Sequence, residues 1–230
     1  MVDFSVITDN FSLLMTGLGV TVKLAILTII FSLVLGTFLG TVRYLRIPVL
    51  SQVVTAFIEL TRAIPLIMYI VCIHYTISAY IFYNLNLKDV LHLESTAMQS
   101  GLLALILFTS TYIAEIVRSG FNSIDKEQIY GAKALGFTTR QIMQYIFIPL
   151  ALYRMLPSLL AQFVTLIKDT SLVSAIGLVE LTRSGEFIYE SNHKELEVLL
   201  FVALTYFVLC FILSRIAKKI SKKPFLPDMY

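Results

Sequence analysis

The sequence predicts an all-α integral membrane protein of five transmembrane helices, with a cytoplasmic helical hairpin between the third and fourth, and three observations carry that prediction. Of its 230 residues, 57% are hydrophobic and only 14% charged, with a mean hydropathy of +0.83, whereas soluble domains are about a quarter charged. Uncharged apolar runs recur along the chain, close to the roughly 20 residues that cross a bilayer. Between the third and fourth runs lies a stretch patterned as two short helices rather than as a polar linker. The chain is long enough for five spans but leaves little for a soluble domain, so residues 1–230 read as a single transmembrane domain. A balance of 18 Lys+Arg against 15 Asp+Glu is too mild for a nucleic-acid binder. Cys72 and Cys210 both lie in apolar runs, as core residues that imply neither a disulfide framework nor a metal site.

The spans are placed at residues 18–42, 53–83, 95–120, 153–179 and 197–216. Ahead of the first stand Asp3 and Asp9 with no basic stretch, unlike a cleavable signal peptide, so that span is expected to be retained. Gly36 and Gly40 within it have the spacing of a close-packing face. The second span carries Arg62, Pro65 and His74. Entry into lipid near Ser51 puts Arg62 about 16 Å deep, near the middle of the hydrocarbon layer. His74 has no second ligand nearby and reads as a hydrogen-bonded interior residue. The fourth run, Met155 to Ile167, is too short alone, but apolar sequence resumes at Thr170, giving one span with Lys168 and Asp169 near its middle.

Short-loop basic residues set the orientation. Arg43 and Arg46 follow span one, Arg118, Lys126, Lys133 and Arg140 lie between spans three and four, and Arg215, Lys218, Lys219, Lys222 and Lys223 follow span five. All fall on one side of a five-span chain. The other side holds Lys88, Arg183 and Lys194 among Asp3, Asp9, Asp89, Glu94, Glu180, Glu186, Glu190 and Glu195. The N-terminus is therefore expected outside and the C-terminus in the cytoplasm.

The connection at 123–149 has Ile129, Ala132, Leu135 and Gly136 at helical spacing, a turn at Gly136, and Thr138 as cap of a second helix carrying Ile142, Tyr145 and Ile146 before Pro149. Such a hairpin either lies on lipid headgroups or docks a cytoplasmic partner. Its residues Tyr130-Gly131-Ala132-Lys133-Ala134-Leu135-Gly136, then nine more, then Ile146-Phe147-Ile148-Pro149, resemble the coupling motif of bacterial ABC importer permeases: Glu-Ala-Ala, three residues, Gly, nine residues, Ile-x-Leu-Pro. The spacing matches in full. Tyr130 stands where the motif has Glu and Gly131 where it has Ala, with Glu127 one turn earlier as an alternative charge. Gly131 and Ala132 keep the packing positions small.

Four further passages resemble the permeases for polar and charged amino acids, of the histidine, glutamine and arginine type, from Thr16 to Arg215. They are Gly19-Val20-Thr21-Val22-Lys23-Leu24, Glu59-Leu60-Thr61-Arg62-Ala63-Ile64-Pro65-Leu66, Tyr112-Ile113-Ala114-Glu115-Ile116-Val117-Arg118-Ser119-Gly120, and Lys168-Asp169-Thr170-Ser171-Leu172 leading to Ile176-Gly177-Leu178-Val179-Glu180-Leu181. The family usually has Gly where Ala63 stands. The resemblance implies a type I importer fold in the bacterial cytoplasmic (inner) membrane and a dimer with a second permease, identical or homologous. It further implies two ATP-binding subunits gripping Gln128, Tyr130, Gly131, Ala132 and Gly136, and an extracytoplasmic amino-acid-binding protein. The sequence has no Gly-rich phosphate loop ending in Gly-Lys-Ser/Thr, so no cofactor is expected in this chain and ATP with its Mg belongs to the partner.

Ionisable groups in a span are costly unless they pair or line a wet cavity, so each is a candidate site. An amino-acid zwitterion needs an anion site and a cation site a few ångströms apart. Arg62 or Lys168 is the candidate for its carboxylate and Asp169 for its ammonium, with Thr170 and Ser171 beside them and Thr109, Thr111 and Glu115 on span three as further candidates for the substrate path. Pairs at three-residue spacing offer a plainer account: Glu59 with Arg62, and Glu115 with Arg118, neutralise each other along a helix. Lys168 and Asp169 have a competing role as a structural pair at a break in the span. Two other function classes remain: an ion-coupled secondary carrier, which needs its own ion site but no hairpin, and a non-transporting scaffold, which needs no polar groups at midplane.

Overall fold

The computed structural model describes residues 4–78 and 96–221. The expected end of span two beyond residue 78, the start of span three at 95, and the charges Asp3, Lys88, Asp89, Glu94, Lys222 and Lys223 lie outside the described residues. A short helix α1, Ser5–Asp9, leads into α2, Phe11–Leu45, which is apolar all round and, at 35 residues, about 52 Å long. It ends in a left-handed Arg46 ahead of Pro48, where a helix cannot continue.

Helix α3, Leu50–Ala63, stops at an extended Ile64, because a residue before proline avoids the helical region. After Pro65 the chain turns by 109° into α4, Leu66–Cys72, which widens into a π turn over Ile73–Ser78. The second apolar run is thus two helices bent at Pro65 and not one continuous helix. Proline has removed a helical hydrogen bond and the chain bends there. Helix α5, Thr96–Asn122, follows the undescribed segment.

The hairpin is present. Helix α6, Lys126–Ala134, is closed by Gly136 at φ 84°, whose N–H donates to Lys133 O while Phe137 N–H reaches back to Ala132 O. Thr138 and Gln141 form a reciprocal capping box on α7, Thr139–Ile142. The hairpin's second arm does not stop at Pro149. It passes through a π turn, Met143–Phe147, into α8, Ile148–Asp169, and then a 3₁₀ segment, Thr170–Ile176. Pro149 is tolerated because it stands in the first turn of α8, where its missing N–H has little helical partner to lose. Lys168 and Asp169 therefore lie at the end of α8, where the helix tightens into the 3₁₀ segment.

Helix α9, Leu181–Asn192, was not anticipated, since its polar sequence has no transmembrane signature; α10, Glu195–Ser221, follows. Among the described residues four helical stretches are long and apolar enough to cross a membrane, and a fifth if the bent α3–α4 pair is one span. The fold is an all-α, multi-pass membrane bundle.

Contact register fixes the directions. A Cβ on Gly36 would meet Ile113 Cβ at 2.6 Å and one on Gly40 would meet Ala114 O at 2.6 Å, so α2 and α5 pack backbone to backbone and run parallel. Gly120 abuts Met155 and Gly101 abuts Val173, so α8 runs antiparallel to α5. Cys210 lies against Val164, and Ser214 and Lys218 share a groove with Ala161 and Pro157, so α10 runs antiparallel to α8. One end of the bundle thus gathers Arg43, Arg118, the hairpin and Lys218. The other gathers α9 and the start of α10. Both cysteines are free, and Cys72 is exposed on the chain's surface, not in its core.

Candidate functional site

The candidate residues form two groups at different levels of the bundle. At the basic end, the Glu115 carboxylate of α5 gathers arginines from three helices. Oε1 accepts a hydrogen bond from Arg43 of α2, and Oε2 accepts two from Arg118, at 3.0 and 3.1 Å. Arg62, the last but one residue of α3, brings Nη1 to 4.0 Å and lays its guanidinium over the Tyr112 ring at 4.7 Å. The acid beside Arg62 is Glu115, not the Glu59 expected from spacing, because the register of α3 against α5 outweighs the contact along one helix. Arg43 lies two residues from the end of α2 and Glu115 seven from the end of α5. Arg62 shares that level through its approach to Glu115, and α3, which carries it, meets α4 at 109°.

A cleft of about 460 Å³ opens beside this cluster, lined by Arg62, Glu115, Arg118, Ser119, Arg154 and Ser158 among others. Arg154 of α8 donates to the Ser123 carbonyl and pairs with Asp125 at 3.5 Å. Neither Arg43 nor Arg154 was singled out in the sequence. Arg43 counted only toward orientation, and the partner of Arg154 is visible only once α8 folds back on α5.

Toward the other end, Lys168 is exposed and Asp169 half-buried on the last turn of α8. The hydroxyls next to them are committed to backbone: Thr170 donates to Ile167 O at 2.6 Å and Ser171 to Lys168 O at 2.7 Å. Val173, one turn on, packs on Gly101 near the start of α5. The Lys168–Asp169 pair and the Arg62–Glu115 pair are thus on the order of 15 Å apart along the axis. Within one chain Arg62 and Asp169 do not face one amino-acid head group. Thr109 and Thr111 are fully buried, Thr111 donating to Phe108 O. His74 meets Ser100 at 2.6 Å, in line with its reading as a hydrogen-bonded interior residue.

The sequence also gave no site role to Glu180, which is completely buried at the N-cap of α9. It accepts from Tyr206 of α10 at 2.7 Å, Thr21 of α2 at 3.3 Å and the Arg183 N–H at 2.9 Å, while Thr21 accepts from Leu181 N–H. Burial pushes this carboxyl above the usual range, against the pull of those donors. The acid ties α9 to two spans.

On the hairpin, Tyr130 is 61% and Leu135 80% exposed, and Phe137 is exposed beside them. Ala132 is buried, but a Cβ on Gly131 would meet nothing within 4 Å, so the small residue at 131 answers no packing need of this chain. Gln128 Oε1 is buried without a hydrogen-bond partner. The described residues contain no cluster of His, Cys, Asp and Glu that holds a metal ion.

Residues 32–225 match the family "Binding-protein-dependent transport system inner membrane component". The chain belongs to that family. It is a permease subunit of an ABC importer with the type I fold, in which a separate subunit hydrolyses ATP and the working complex joins two permeases, two ATP-binding subunits and a binding protein at the inner membrane. "Probable glutamine ABC transporter permease protein GlnP" of Bacillus subtilis (strain 168) is 34% identical over 93% of this chain and 94% of its own length. "Glutamate/aspartate import permease protein GltK" of Escherichia coli O157:H7 is 28% identical over 96% and 97%. The solved "amino acid ABC transporter with histidines" aligns with a TM-score of 0.82 at 27% identity, covering 97% of this chain and all of that one.

Proposed function

We propose that this permease moves a polar or charged L-amino acid into the cytoplasm by alternating access, with the basic end of the bundle on the cytoplasmic side. The observation that carries the substrate class is the Lys168–Asp169 pair. An exposed ammonium and a half-buried carboxylate stand on successive residues where the helix changes pitch, one charge for each head group of a zwitterion. The relatives named for glutamine and for glutamate and aspartate support the same class. Thr170 and Ser171 hold the pitch change, and Arg62 and Glu115 belong to the inner part of the path, with buried Thr109 a wall residue behind it.

Orientation rests on the basic residues and the hairpin sharing one end, as expected of a cytoplasmic face. Parallel α2 and α5 need an odd number of crossings between them, which supports counting the bent pair and its continuation as one span and the whole as five. The exposed hairpin, with Gln128, Tyr130, Gly131, Ala132 and Gly136, is the element on which the ATP-binding subunit docks. An open position at Gly131 lets a partner's backbone approach closely.

The test is ATP hydrolysis by the reconstituted complex with its binding protein, screened against amino acids. Replacing Lys168 by Leu together with Asp169 by Ala is expected to abolish amino-acid stimulation while the complex still assembles. Unchanged stimulation in that variant refutes the substrate role of the pair.

A further inference from the structure

We propose that the arginine cleft at the basic end is a second amino-acid station, which takes the carboxylate of anionic or neutral amino acids from the cytoplasmic side, rejects cationic ones, and thereby lets internal product restrain import. This rests on the reading that the basic end faces the cytoplasm. Four guanidinium groups, of Arg43, Arg62, Arg118 and Arg154, meet two carboxylates, of Glu115 and Asp125, and leave the cluster positively charged. Clustered like charges at the edge of a low-dielectric bundle draw in an anion.

The charges are not equally committed. Arg43 is mostly buried against Glu115, and Arg118 gives that carboxylate two donors. Arg62 makes no hydrogen bond among the described residues, and its side chain is 41% exposed. Its Cζ lies over the Tyr112 ring, and its uncommitted N–H donors are available for a bidentate carboxylate. Ser119 and Ser158 add hydroxyls to the same wall, which Glu115 also lines. A cleft of about 460 Å³ holds a whole amino acid. The surplus positive charge favours a carboxylate or amide side chain over a lysine- or arginine-like one.

The test uses sealed vesicles loaded with the binding protein and its amino acid, with the full complex inserted and ATP added outside. Only complexes exposing their cytoplasmic face then turn over. Adding glutamate outside is expected to slow export into the medium, while arginine and inorganic phosphate at equal ionic strength do not. Rates are normalised to each protein's own rate without added amino acid. In Arg62→Gln the glutamate concentration needed for the same inhibition is expected to rise about tenfold, the effect of losing one charged hydrogen-bonding partner. Ser158→Asp, which lowers the local positive charge without removing a partner of the cluster, is expected to weaken inhibition by glutamate and to ease binding of arginine. The proposal is overturned if glutamate has no effect on the wild type, if phosphate or arginine inhibits equally, or if both variants behave as the wild type. ATP-dependent transport by the untreated wild-type vesicles separates these outcomes from a failure of the import reading itself.

Discussion

Arg43 and Glu115, 72 positions apart in sequence, are joined by a hydrogen-bonded ion pair between two parallel helices. Both are largely buried, Arg43 at 13% side-chain exposure and Glu115 at 25%, and Glu115 is the shared acid of arginines from three helices. Removing the shared acid therefore leaves more uncompensated charge than removing any one arginine.

Glu115→Gln is expected to lower the stability of the purified chain by about 2 kcal/mol, less than a fully buried pair because part of it is wet. Arg118→Gln, whose side chain is 39% exposed, should lose less. Thermal unfolding in detergent ranks the two, and an equal or larger loss in Arg118→Gln contradicts the arrangement.

Close packing of α2 on α5 makes Gly36 irreplaceable. Gly36→Val drives a side chain into Ile113 and the Ser110 carbonyl and should destabilise by about 3 kcal/mol. Gly19, on the same helix, has nothing within 4 Å of a built Cβ, and Gly19→Ala should be neutral or stabilise by about 0.5–1 kcal/mol. Melting temperatures of the two variants test the helix register.

The long apolar helices were legible because burial in lipid leaves a length signal, and the two short helices after α5 because Gly136 and the Thr138–Gln141 box are local devices. Helix α9 was not, since it is a polar helix held by one buried acid, and nothing local marks Glu180 as buried. The bend after Arg62 was legible only in part, because Pro65 marks a break but not its angle. The Glu115 cluster escaped notice because its partners are set by helix register: spacing along one helix found Arg118 but neither Arg43 nor Arg62.

Glu180 predicts a pH dependence. Its raised value means that the folded chain holds the proton more tightly than the unfolded one. Its contribution is therefore fully present below the ordinary carboxylate range and is lost as pH rises through the raised value. Glu180→Gln keeps the cap geometry and should flatten that part of the stability–pH curve. Glu180→Ala should cost about 2–3 kcal/mol, from the lost cap and the stranded Tyr206 and Thr21 hydroxyls. A wild-type curve that rises through the same window contradicts the assignment.

On the hairpin, Gly131→Leu should leave the chain's own melting unchanged, because its Cβ faces open space, yet abolish copurification of the ATP-binding subunit. Gly136→Ala acts the other way, straining the turn at φ 84° by about 1–2 kcal/mol. Retained binding in Gly131→Leu would place the partner elsewhere.

The central claim is ATP-driven amino-acid import through this chain. It is tested most directly by amino-acid flux in vesicles containing the chain, its ATP-binding subunit and its binding protein, with and without ATP. The account predicts uptake that requires all three components and ATP. Uptake that persists without ATP or without the ATP-binding subunit, driven by an ion gradient, would contradict it.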